Sequence, residues 1–146
     1  MDYPRTSEND RIACPWLIAR FVDEYPEFLY VPAGDVMRIA AENGAIPYDV
    51  PGVELSRHGD HCSFDAFITK YSIKDAALDK LALVVRAADC EQPELAKEAA
   101  GLLAISKWLS LNFTHDHEML RHGMIIYDTW CSDTSLKKDA RFQRLK

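Results

Sequence analysis

Residues 64–88 read FDAFITKYSIKDAALDKLALVVRAA, and the spacing of their apolar positions decides the fold class. Phe64, Phe67, Ile68 and Tyr71 recur at i, i+3, i+4 and i+7, the stripe of an amphipathic helix. Leu78, Leu81, Val85 and Ala88 repeat that stripe after Asp75, whose short carboxylate suits the cap of a second helix. Two consecutive helices with buried faces make the centre of this chain helical.

Working outward gives more of the same. Leu95, Ala99, Leu102, Leu103 and Ile105 mark a long helix after Pro93, and a last helix runs from after Thr114 to about Cys131. On it Met119, Leu120, Gly123, Met124, Ile126, Tyr127, Trp130 and Cys131 form one broad core-facing stripe. Upstream, Val36, Ile39 and Ala40 have helical spacing and Gly44 supplies the stop. An opening helix starts at Cys14-Pro15, with Pro15 at its first position, and ends near Asp23.

Two stretches break the pattern. Phe28-Leu29-Tyr30-Val31 before Pro32 reads as a strand, and AIPYDVPGVEL at 45–55 as an extended edge segment turning at Pro51-Gly52. The expectation is a mainly α (α+β) fold: a single compact helical domain over 1–146, with two or three short strands or extended segments around 28–32 and 45–55. Residues 1–10 form a polar N-terminal arm and 132–146 a charged C-terminal tail.

With 146 residues, 48% hydrophobic and 27% charged, the chain has the composition of one ordinary globular core. Its formal net charge of -6 disfavours a phosphate-backbone partner, so no nucleic acid is expected on this domain alone. The basic tail of Lys137, Lys138, Arg141, Arg144 and Lys146 reads as a solvated end. No stretch nears about eighteen consecutive apolar residues and the start lacks a basic-then-apolar leader, so membrane insertion is not expected and cytoplasmic localisation is. A homodimer stays open. Four cysteines, Cys14, Cys62, Cys90 and Cys131, contain no C-x-x-C pair, which leaves thiols rather than a local zinc knuckle.

Three segments carry chemistry. Arg57-His58-Gly59-Asp60-His61-Cys62-Ser63 feeds the helix at Phe64, where backbone N–H groups, imidazoles and a guanidinium suit an oxyanion and activate the Cys62 thiol. The plain reading has Ser63 as cap, Asp65 against the helix dipole and solvated histidines. Thr114-His115-Asp116-His117-Glu118 opens the last helix; His117, Arg121 and Asp128 lie on one edge of its core face, whereas His115, Glu118 and His122 lie on the other, where a Glu118–His122 ion pair is the plain reading. Cys14 at a helix start is an activated thiol or simply a small core residue, and Arg20 pairs with a carboxylate such as Asp23 or reaches solvent.

ACPWLIARFVD at 13–23, FLYVPA at 28–33, GAIPYDVPGVELSRHGDHCSFDAF at 44–67, AAGLLAIS at 99–106 and DHEMLRHGMIIYD at 116–128 together resemble the C-terminal domain of the bacterial chromate-resistance protein ChrB. The resemblance implies a part in chromate resistance beside a membrane chromate pump. It joins His58, Cys62 and Asp65 in one shared block and His117, Glu118 and Asp128 in another. The expectation is one site bridging the two: His58, Cys62, His117, Glu118 and Asp128 holding a transition metal ion (Zn, Fe or Mn), Cys62 as catalytic thiol, and chromate or a related oxyanion as partner. The alternatives are a metal-free oxyanion sensor built on Arg11, Arg57 and His58, and a thiol-dependent accessory or sulfur-transfer partner using Cys62 or Cys14.

Overall fold

The computed structural model describes residues 10–90 and 92–132. Nearly all of the expected arm and the tail with its five basic residues lie outside them. Among the described residues the α-helices are α1 (Asp10–Leu17), α2 (Val36–Asn43), α3 (Ser63–Lys70), α4 (Ala76–Asp89), α5 (Ala99–Asn112) and α6 (Asp116–Ser132).

The caps follow the sequence. Asp75 accepts the Leu78 N–H at 2.9 Å, satisfying one of the amides that open α4. Gly44 ends α2 at φ 65, a left-handed conformation that a side chain resists. The expected long helix after Pro93 is α5, which begins at Ala99, while Leu95 belongs to a short 3-10 turn, Pro93–Leu95.

α1 differs from its expected form. It is already helical at Asp10 and carries Pro15 inside rather than at its first position. Proline has no N–H, so the Arg11 carbonyl four residues back loses its helical donor. The Tyr30 hydroxyl donates to that carbonyl at 2.9 Å. A π turn over Ile18–Val22 then carries the chain to Asp23.

α1 packs against both α6 and α3, while α4 meets α5, α3 and α6. The core is the shared interior of these elements, with Ile12, Trp16, Leu17, Phe64, Leu78, Leu81, Val85, Leu102, Met119 and Tyr127 almost fully buried. Trp16 lies against Tyr127 with ring centroids 5.6 Å apart. Gly123 lets α1 and α6 approach: a Cβ there would stand 2.6 Å from Ile12 Cγ2. Gly123→Ala therefore overpacks the seam and should cost about 1–3 kcal/mol. Urea denaturation should show the cost of Gly123→Ala shrinking in an Ile12→Ala background, where both γ carbons are gone.

The two expected strands are absent; the described residues contain no strand, only a bridge between His58 and His61. A strand must trade backbone hydrogen bonds with a neighbour. Here Pro26, Pro32, Pro47 and Pro51 remove donors, and the 45–55 segment bonds to itself through Asp49 N–H to the Leu55 carbonyl at 2.8 Å. Both stretches are irregular walls lying over the helices, so the fold is helical without a sheet among the described residues. No described helix is long and apolar enough to cross a membrane.

Candidate functional site

The His58-Gly59-Asp60-His61 turn is tight. His58 N–H donates to the His61 carbonyl at 2.9 Å and His61 N–H to the His58 carbonyl at 3.1 Å, with Gly59 at φ 60. Residues that exchange both bonds stand directly opposite, with side chains leaving the same face. His58 Nε2 meets the Glu54 carbonyl at 2.8 Å; since a carbonyl only accepts, Nε2 carries the proton. His58, His61 and Arg57 are exposed. Arg57 gives one N–H to the Asp89 carbonyl, and the guanidinium has further donors.

Beneath the turn, Cys62 is buried and caps α3 in place of the expected Ser63. The Asp65 carboxylate accepts the Cys62 N–H at 3.1 Å and the thiol at 3.3 Å. It also takes a two-pronged ion pair from Arg86 of α4, at 3.0 and 2.8 Å. That bond to Asp65 chiefly raises the Arg86 guanidinium above its ordinary value. His61 Nδ1 lies 3.8 Å from the same carboxylate. Asp65 thus occupies the amide end of α3 itself, and a thiolate at Cys62 would face it. Ser63 Oγ donates to Asp49 at 2.9 Å.

Cys90 closes α4 nearby. Burial pushes its thiol up, against the pull of Arg57, with Asp89 and Asp65 pushing the same way as burial. Less thiolate at a given pH means slower alkylation. Mass spectrometry of iodoacetamide-treated protein near pH 8 should find Cys90 modified more slowly than a small free thiol.

The second expected segment lies elsewhere. Asp116, the first residue of α6, is ion-paired with Arg11 of α1. His117 and Glu118 are exposed, and the His117 ring packs edge-on to Tyr30 with centroids 5.2 Å apart. Burial drives the Tyr30 hydroxyl far above its ordinary value, Arg11 opposing, so it serves as a neutral donor. His122 stacks on Phe113 at 4.6 Å rather than pairing with Glu118. Asp128 accepts Trp16 Nε1 at 2.8 Å and both Nε and Nη2 of Arg20 at 2.8 Å. Arg20 is thus paired with Asp128, not with Asp23.

The structure brings Arg57, His58 and Cys62 together on one turn. It does not arrange them with His117, Glu118 and Asp128 as one set of metal ligands: His117 and Asp128 are eleven residues apart on one helix, about 16 Å of rise, against metal–ligand bonds of about 2 Å. Among the described residues no group of three or more His, Cys, Asp or Glu side chains is arranged to hold a metal ion. Sequence reading missed the Asp65–Arg86 pair, although Cys62-x-x-Asp65 has the spacing of a reciprocal helix cap. It also missed a cavity of about 570 Å³ walled by the 26–33 and 45–50 segments and lined as well by Arg11 and Asp116.

A family model described as ChrB, C-terminal domain matches residues 5–133. "Protein ChrB" of Cupriavidus metallidurans is 31% identical over 121 residues, covering 82% of this chain and 36% of that protein. The chain therefore spans little more than a third of that relative. No solved structure matches.

Proposed function

Since the chain belongs to the family of ChrB C-terminal domains, we propose that it acts in the chromate response as a sensor of tetrahedral oxyanions, held by Arg57, His58 and His61. The observation that supports this is the reciprocal His58–His61 pairing, which presents two imidazoles from one face beside an exposed guanidinium. Side chains, not helix amides, hold the anion, because Asp65 fills the end of α3. Arg57 supplies charge-assisted hydrogen bonds, which are short and strong; with its Nε2–H given to the Glu54 carbonyl, His58 adds one from Nδ1 only as an imidazolium. Asp65 and Arg86 tie the turn to α4, so occupancy is felt in the core.

The same pairing favours a second reading, a metal-binding role in which His58 and His61 are two imidazole ligands and a transition metal takes its remaining ligands from water or the oxyanion.

Titration calorimetry with molybdate, a dianion of chromate's shape that thiols reduce less readily, separates the two. The sensor reading expects saturable binding without metal, weakened about tenfold in Arg57→Ala and unaffected by Cys62→Ser. No molybdate binding, or full affinity in Arg57→Ala, overturns it. Binding restored only by added zinc favours the second.

A further inference from the structure

The cavity between the 26–33 and 45–50 segments has the wrong charge for an oxyanion. Among the described residues its lining carries four carboxylates, Asp23, Glu27, Asp49 and Asp116, against one guanidinium, Arg11. Arg11 is already ion-paired with Asp116, so the balance of the wall is negative. Asp23 and Glu27 are exposed and Asp49 is half-buried, its carboxylate also accepting from Ser63 Oγ at 2.9 Å.

The rest of the wall is aromatic and aliphatic. Tyr48 meets Phe67 edge-on at 5.4 Å, and Phe67 stacks on Tyr71 at 6.4 Å and 11°. This gives one continuous aromatic wall of three rings. Two rings lining the cavity already carry a cation of the chain itself over a face: Lys70 Nζ lies 6.0 Å from the Tyr71 centroid and the Arg11 guanidinium 6.0 Å from that of Tyr30. Aromatic faces flanked by carboxylates select positive charge, and a space of about 570 Å³ falls in the range of small-molecule sites.

We propose that this cavity binds a small organic cation with an apolar body, the ammonium held between Asp23, Glu27 and Asp49 and the body against Tyr48, Phe67 and Tyr71. The site is separate from the turn at 57–61 and does not depend on the oxyanion reading.

The probes are phenethylammonium, 2-phenylethanol and phenylacetate, which share size and body and differ in charge. Nuclear magnetic resonance titration of the full chain should place the shifts in 26–33 and 45–50. Phenethylammonium should bind about tenfold more tightly than the alcohol, and phenylacetate more weakly than either. In Asp23→Asn/Glu27→Gln, two exposed changes that leave the core intact, the preference for the ammonium should fall towards parity. Tyr71→Leu should weaken the ammonium more than the alcohol. Equal binding of ammonium and alcohol by the wild-type chain, tighter binding of phenylacetate, or no shift in either segment with any of the three overturns the proposal. So does an undiminished ammonium preference in the double variant.

Discussion

Asp128→Ala is expected to lower the folding stability by about 3–5 kcal/mol, the cost of breaking one side of a partly buried ion pair. The Arg20 and Asp128 side chains are only 21% and 14% exposed, and the pair joins the turn after α1 to the last helix. Removing the carboxylate strands a guanidinium whose raised proton affinity comes chiefly from its bond to Asp128. It also takes the acceptor from the Trp16 indole, and Trp16 is almost wholly buried, which adds an unmade hydrogen bond. Asp128→Asn keeps an acceptor for the indole and should lose less. Arg20→Met with Asp128→Leu should lose less than the two single changes summed, since neither charge is then left alone. Urea denaturation with and without chelator measures this. A loss unchanged by chelator or added zinc assigns Asp128 to the frame, whereas a loss seen only with metal present restores it as a ligand.

Asp65→Ala should cost a similar amount, about 3–5 kcal/mol, or on the order of 10 °C in Tm for a chain of this length. One carboxylate here does three tasks: it caps α3, receives the Cys62 thiol and holds Arg86. Asp65→Asn can still accept the capping N–H and should fall between. Thermal unfolding by circular dichroism reads both; a drop of no more than a few degrees for Asp65→Ala would show that Arg86 finds another acceptor. Because Asp65 lies under the turn, its loss should also weaken oxyanion binding in proportion to disorder at His61, whereas phenethylammonium binding in the cavity should be kept.

What could be read from the sequence was what repeats locally. Leu78, Leu81 and Val85 announce α4, and Asp75 its cap, because the hydrophobic stripe and the first-turn amides are set by residues three and four apart. The core face of α6 was legible for the same reason. The ion pairs were not: Asp128 meets a residue 108 positions away and Asp65 one 21 away, and no periodicity encodes which distant charge a helix will face. The strand expectation for 28–32 and 45–55 fails because aromatic and β-branched residues suit a pleated surface and a wall packed on helices alike. In the fold Phe28, Tyr30 and Tyr48 are partly buried against helices, which needs the same residue types without a partner strand. The turn at 57–62 was found from composition alone. Its joining to α6 rested on two blocks sharing a family, and shared ancestry does not place two blocks side by side.

The bond from Tyr30 to the Arg11 carbonyl has a consequence for how the molecule opens. An ordinary helix closes its ladder from within; α1 borrows one rung from a residue 19 positions later. The middle of α1 therefore reaches its full hydrogen-bonding only once the Tyr30 segment has docked, and releasing that segment strips the rung away. Helix and wall form one cooperative unit in the sense of native-state hydrogen exchange: amide protons of residues 12–18 and 28–31 share a common opening free energy. Anything that seats itself in the cavity and holds Tyr30 in place slows exchange along α1.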